Sequence, residues 1–529
     1  MPKGYLAFVL HAHLPYVRHP EYDRFLEERW LFEAITESYI PLIQVFDRLL
    51  SEHIPCRLTL SISPSLLAML EDALLLERYE AHLNQLIELS VRELARTQSE
   101  PRVHHLAEFY HRFFVAGLDT FVNRCQRRLA TAFRHFHEQG IINLMTTTAT
   151  HGLLPLLAGQ PKAVNAQLVI GLNYFQSVFG FRPDGLWLPE CGYYPGLDAV
   201  LAEQNIRFFI VESHGIEHAS ITPFNGVYTP LYTPSGVAAF GRDRGSTKQV
   251  WSAQEGFPGH PDYREFYRDI GHELDFDYIQ PYIADGVRVD TGIKYRRITG
   301  PTVWKELYRP ATARQQAEHH AEDFLSQRRA DIDYLNSIMD ATPIVLAPFD
   351  AELFGHWWFE GPHWLECVIR KTVCHQEGLA LTTPGYYLTA HPDHQTATPC
   401  TSTWGNQGFF DTWLNGKTDW IYPQLYTCGQ RMEALANGQG REEVSEFKRR
   451  ALNQCVRELL LAQSSDWPFI INNGTAAEYA TRRVKDHVAR FHYLADALEQ
   501  DALDAERLAA LEWLDNPFPN ADYRLFQSD

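Results

Sequence analysis

The feature that most constrains this chain is a recurring unit. A short apolar run ends in a polar residue, and a stretch with helical spacing follows. Tyr5-Leu6-Ala7-Phe8-Val9-Leu10 reads as a buried strand, Trp30 to Leu50 as a helix, and Cys56-Arg57-Leu58-Thr59-Leu60-Ser61-Ile62 as the next strand. Further strands are expected at Ile141 to Thr147, Gly185 to Leu188, Phe208 to Val211, Val237 to Phe240 and Ile344 to Phe349. Helices at 163–179, 197–204 and 313–339 separate them. Buried strands alternating with helices define a parallel α/β fold and suggest a β/α barrel. Leu66 to Gln139 reads as helical throughout, which suggests an inserted helical subdomain. Ser246 to Thr302 and Ala390 to Asn415 read as loops, the first long enough to suggest a function. Four further helices are expected over 419–436, 442–463, 476–499 and 502–515.

In a β/α barrel the chemistry sits at the C-terminal ends of the strands. The residues found there are His11 and His13 after the first strand and His151 after the third. Glu190, Arg242 with Asp243, and Asp350 follow later ones. Glu190 lies in Trp187-Leu188-Pro189-Glu190-Cys191-Gly192-Tyr193, and Asp350 in Ala347-Pro348-Phe349-Asp350-Ala351-Glu352. Two carboxylates facing an aromatic cleft are what glycosidic bond cleavage requires, one as nucleophile or base and one as proton donor. Taken singly, each carboxylate reads more readily as a cap on the helix after its strand, whereas the pair in this context favours catalysis.

His11 and His13 lie at i and i+2, so they share one face of a strand. They suit either a metal pair or hydrogen bonds to sugar hydroxyls. Zinc needs a third ligand, with Asp243 or His151 as candidates, and no local acid motif supports it. Thirteen per cent of the residues are aromatic, and several sit in polar or Gly-rich stretches. Trp404 and Trp413 in 403–414 suit stacking on a pyranose ring, whereas Trp358 and Trp467 suit packing. Ser464-Ser465-Asp466-Trp467-Pro468 interrupts the late helices. The His residues at 104, 105, 111, 135 and 137 read as solvated helix faces.

The charge balance narrows the partner. The chain carries 47 Lys and Arg against 66 Asp and Glu, a net charge of −19, which opposes nucleic acid and anionic membranes but not a neutral sugar. Its eight Cys form no C-x-x-C pair, consistent with reduced thiols. No apolar run reaches the roughly 18 residues of a membrane span. No secretory leader is seen at the N-terminus, so a cytoplasmic protein is expected. Nucleotide-binding and serine hydrolase motifs are absent from the sequence.

Taken in order, five segments resemble glycoside hydrolase family 57, most nearly its α-1,4-glucan branching enzymes. They are His11 to Tyr16, Gly185 to Tyr194, Phe240 to Arg244 with Val250-Trp251-Ser252, Ala347 to Trp358, and Thr403 to Gly416. The resemblance implies an incomplete (β/α)7 barrel over 1–400 with a helical insertion at about 66–140. It also implies a C-terminal helical domain over 401–529 that completes the cleft. Glu190 would be the nucleophile and Asp350 the general acid/base of a retaining mechanism without metal or cofactor. Retention predicts carboxyl groups about 5–5.5 Å apart, with Asp350 protonated at rest. His11, His13, His151, Arg242, Asp243, Trp404, Trp413 and Asp466 are the expected substrate-binding residues. Tyr232 is expected on a mobile loop before Gly236. His272 stands where the branching group leads one to expect Trp. The partner would be an α-1,4-glucan and the protein a monomer. An α-amylase or 4-α-glucanotransferase of the same family, a zinc-dependent sugar hydrolase or deacetylase, and a non-catalytic glucan-binding protein are the alternatives.

Overall fold

A computed structural model describes residues 2–252, 255–283, 286–375, 378–440 and 444–528. Its strands are β1 (Gly4–Ala12), β2 (Leu58–Ile62), β3 (Ile142–Met145), β4 (Gly185–Leu186), β5 (Phe208–Val211), β6 (Leu231–Tyr232), β7 (Ala238–Gly241), β8 (Ile344–Asp350) and β9 (Leu379–Leu381). They form two sheets, ordered β3-β2-β1-β8 with β9 also on β1, and β4-β5-β7-β6. Every pairing is parallel except β6 with β7. The sheets meet along both margins. Trp187 N donates to Thr146 O at 2.8 Å, and Asp243 N donates to Leu346 O at 2.9 Å.

The apolar runs explain this arrangement. β1 is buried almost throughout, as expected of a strand covered on both faces. Its residues alternate between two cores. Ala7 and Val9 meet Met145, Trp187, Ile210, Phe240 and Leu346 between the sheets. Leu6, Phe8 and Leu10 face the surrounding helices. The period of two along the strand thus serves two hydrophobic interiors at once.

Most expected elements stand within a few residues of their predicted bounds. The continuous helical reading of 66–139 is corrected. The chain forms Pro64–Leu70, Ala73–Arg96, Pro101–Asp119 and Leu129–Glu138. The first break falls where the Asp72 carboxylate caps the next helix through Leu75 N, and the second where Pro101 opens a helix. The 246–302 segment begins inside a helix, Arg244–Trp251, and continues mostly as turns. The strands β6 and β9, of two and three residues, are too short to show a period in the sequence.

The late helices are Ile421–Asn437, Glu446–Ala462, Asp466–Asn473, Ala477–Glu499 and Ala505–Leu514. A buried polar network binds them to the segment after β1. Glu458 and His487 pair at 2.7 Å with both side chains fully buried. Arg490 pairs with Asp515 at 2.5 Å, His19 meets the Tyr479 hydroxyl at 2.8 Å, and Arg18 donates to Leu514 O at 3.3 Å. This anchoring carries residues 464–466 to the ends of the strands. Among the described residues all eight Cys are free thiols, and no helix is long and apolar enough to cross a membrane.

Candidate active site

Parallel register assembles the site. On β1, His11 stands opposite Ser61 of β2 and Asp350 of β8, so three strand ends meet at one level. The His11 and His13 rings stack at 5.6 Å, as the i, i+2 spacing predicts. His13 and His151 stack more closely, at 3.9 Å. Glu190, just beyond β4, and His151, beyond β3, both take left-handed backbone angles, φ 59° and 58°. Such conformations are costly for residues other than Gly and need support. That support is backbone hydrogen bonding: Trp404 N to Glu190 O at 3.0 Å, and Ser465 N to His151 O at 3.1 Å.

These groups line a cavity of about 640 Å³. Glu190 is held from two sides. Ser465 Oγ donates to its Oε1 at 2.8 Å and Trp404 Nε1 to its Oε2 at 2.7 Å. Burial raises the Glu190 carboxyl above its usual range, and those two donors oppose the rise. Asp350 is pushed up further, by burial first, then by the carboxylates of Glu352 and Glu190. Glu352 itself is anchored, accepting from His13 N at 3.1 Å and from the Tyr39 hydroxyl. His13 Nε2 lies 3.0 Å from both Asp466 oxygens, and Asp466 raises its pKa against the effect of burial. His11 and His151 are held well below the ordinary histidine range, chiefly by burial.

Of the residues singled out in the sequence, His11, His13, His151, Glu190, Arg242, Asp350, Trp404, Trp413 and Asp466 line this cavity. Two of the predicted substrate contacts lie elsewhere. Asp243 caps the helix Arg244–Trp251 through Ser246 N at 2.7 Å and lines a separate cavity of about 490 Å³. Tyr232 is a paired residue of β6, bonded through its backbone to Gln395 and Ala397. It stands opposite Ala238, at the far end of β7 from Arg242, and so is not at a loop tip. Trp413 lines the cavity only from beneath. It is 1% exposed, with the loop backbone at Gly405 lying on its ring. Trp358 and Trp467 are fully buried, as expected of packing residues. His272 pairs with Asp290 at 3.1 Å and does not line the cavity.

Ser61, Ser63 and Ser465 are not among the site residues singled out in the sequence, and Trp357, inside the Ala347 to Trp358 segment, also lines the cavity. Ser63 Oγ lies 2.8 Å from His13 Nδ1, and Trp357, 55% exposed, stacks on Phe266 at 4.6 Å. The serines carry no local signal; only the register of β2 with β1 and the docking of the late helices bring them in. For a metal, His13, His151 and Asp466 place one donor atom each within 4.8 Å of one another. Both ring nitrogens of His151 are already engaged, by Ser465 at 2.9 Å and His11 at 3.0 Å. His13 Nε2 and the Asp466 carboxylate are likewise engaged with each other at 3.0 Å, so this hydrogen-bonded set does not fit a zinc site.

A parallel α/β scaffold that sets two largely buried carboxyl groups at a cavity lined by tryptophans has the features of a glycoside-processing enzyme. The chain belongs to glycoside hydrolase family 57: the profile of glycosyl hydrolase family 57 matches residues 7–398. A second profile, for the C-terminal region of 1,4-alpha-glucan branching enzymes, matches residues 424–526. A 1,4-alpha-glucan branching enzyme of Thermococcus kodakarensis is 33% identical, over 98% of this chain and 77% of its own length. The crystal structure of a family 57-type branching enzyme from Pyrococcus horikoshii superposes with a TM-score of 0.89 at 32% identity, covering 100% of this chain and 97% of that one. The alpha-amylase AmyC of Thermotoga maritima superposes at 0.94 with 44% identity, covering both chains fully.

Proposed function

We propose that this protein is a 1,4-α-glucan branching enzyme acting by retaining double displacement. The observation that carries the mechanism is the unequal treatment of the two carboxyl groups. Glu190 receives two hydrogen bonds that favour its ionised form, while burial, then the carboxylates of Glu352 and Glu190, push the Asp350 carboxyl well above its usual range. Asp350 protonates the leaving glycosidic oxygen. Glu190 attacks the anomeric carbon and forms a glycosyl-enzyme. The Asp350 carboxylate then takes the proton of an acceptor hydroxyl as that oxygen displaces Glu190. A glucan 6-hydroxyl as acceptor makes an α-1,6 branch; water gives hydrolysis. Trp404, Arg242 and Trp357 border the sugar path, and His11, His13, His151 and Asp466 form its polar floor.

In this reading β1, β2, β3, β4, β5, β7 and β8 act as one (β/α)7 barrel, closed at the two hydrogen-bonded margins between the sheets. Residues 1–400 are the catalytic domain, with the helical insertion at about 66–140, and 401–529 are a helical domain that supplies Trp404 and Ser465. The enzyme works as a monomer in the cytoplasm on α-1,4-glucan, without cofactor.

The likeness to an alpha-amylase favours a second reading, hydrolysis on the same scaffold. Proton NMR of amylose incubated with the protein separates them. New α-1,6 signals with few reducing ends are the expected result. Reducing ends without α-1,6 signals would establish the hydrolase, and unchanged amylose would leave a glucan-binding protein.

A further inference from the structure

We propose that Ser61, His11, His151, Ser465 and Glu190 form one directional hydrogen-bond chain, in which Ser465 is the positioning residue that aims the nucleophile. The inference rests on Glu190 being the nucleophile. Four contacts link the five residues: Ser61 Oγ to His11 Nδ1 at 3.1 Å, His11 Nε2 to His151 Nε2 at 3.0 Å, His151 Nδ1 to Ser465 Oγ at 2.9 Å, and Ser465 Oγ to Glu190 Oε1 at 2.8 Å.

Proton counting sets the direction. An ionised carboxylate only accepts, so the single hydroxyl proton of Ser465 goes to Glu190. Ser465 then accepts from His151, which must carry its proton on Nδ1. A neutral His151 therefore presents a bare Nε2, and His11 must donate to it from Nε2–H. His11 Nδ1 is left as an acceptor, and the Ser61 hydroxyl fills it. Burial disfavours a second proton on either imidazole, and the neighbouring His13 acts in the same direction. Only one arrangement of protons satisfies every contact while Glu190 is ionised.

The consequence for the reaction lies in the second half. Departure of the carboxylate from the glycosyl-enzyme regenerates its charge, and a positioned donor stabilises that charge as it develops. Ser465 lies in the turn between the late helices Glu446–Ala462 and Asp466–Asn473. Its backbone N–H already holds His151 O, so both ends of the residue fix the His151–Glu190 geometry.

The experiment compares Ser465→Ala and Ser465→Thr with the parent enzyme on amylose, across pH. Removing a donor to a charged group is expected to lower kcat about 10- to 100-fold. KM should change less than about threefold, since the contact is to the nucleophile rather than to sugar. The acid limb of the rate profile should move upward, because the ionised form of Glu190 loses a donor. Asp350, Asp466, His13 and Arg242 also face this region and stay in place in both variants. Ser465→Thr keeps the hydroxyl and should restore both kcat and the limb. An unmoved limb, or no rescue by Thr, overturns the proposal. Nitrogen-15 NMR of the histidines in the unmodified enzyme supplies a test without a variant. The expected protons are on Nδ1 of His151 and Nε2 of His11, and a proton on His151 Nε2 alone overturns it. Glu190→Gln separates the two readings. If that variant turns over normally, the nucleophile assignment fails. If it is inactive while Ser465→Ala behaves as the parent, only the chain fails.

Discussion

Trp404 donates its indole N–H to Oε2 of Glu190 at 2.7 Å, across 214 positions of sequence. The same residue donates its backbone N–H to the Glu190 carbonyl at 3.0 Å. A tryptophan expected to serve as a sugar platform is thus also part of the electrostatic frame of the carboxylate. Its ring packs edge-on against Trp187 at 5.2 Å, with the Arg242 guanidinium 5.8 Å from the ring centre.

Trp404→Phe keeps an aromatic face and removes the donor. A hydrogen bond to a charged group contributes about 1.5–3 kcal/mol. We expect kcat on amylose to fall about 10- to 100-fold with a smaller change in KM. Steady-state rates at several amylose concentrations decide it. A raised KM with intact kcat would make the indole a sugar contact only.

Asp350→Asn is expected to abolish turnover and raise the melting temperature at neutral pH. Unfolded, Asp350 ionises near its ordinary value of about 3.9. Folded, it holds its proton to higher pH. The folded state therefore binds more protons between those two values, and stability falls as pH rises through that window. Asn carries no such penalty. Calorimetry at pH 7 and below about pH 4 should show the gain at the first and its loss at the second. An equal gain at both would trace it to packing instead.

Trp413→Ala should cost stability before it costs substrate binding. The side chain is buried beneath the loop backbone at Gly405. Deleting a buried Trp costs about 3–5 kcal/mol. Urea unfolding is the measurement. A wild-type midpoint combined with a raised KM would return Trp413 to the role of sugar platform.

Asp243→Ala should lower stability by about 1 kcal/mol, the usual value of a lost N-cap, and Asp243→Asn should retain most of it. KM for amylose should stay within about twofold in the Asn variant. A large rise in KM would mean that Asp243 reaches substrate after all.

Much of the site was legible because parallel α/β folds put chemistry at strand ends, and strand ends can be read from apolar runs. His11, Glu190, Arg242 and Asp350 were found that way. Asp243 fits the same rule and fails it in space, since a carboxylate one residue past a strand serves equally well as a helix cap. Tyr232 failed for another reason. The family resemblance puts a tyrosine on a mobile loop before Gly236, and the two-residue strand that Tyr232 forms is too short to read from sequence. Ser465 carried no signal at all, because serine in a polar turn is unremarkable until its partner is known.

The sequence by itself determined the alternation of strand and helix, the two faces of β1 and the shared side of His11 and His13, because these follow from periods of two and 3.6 along the chain. Tertiary structure decided what the carboxyl groups feel. Register set Ser61 and Asp350 beside His11, and polar contacts of His19 and Arg18 with the late helices docked them so that Ser465 meets Glu190. Burial and electrostatic neighbours are properties of space, and they give two carboxyl groups at the ends of strands different proton affinities.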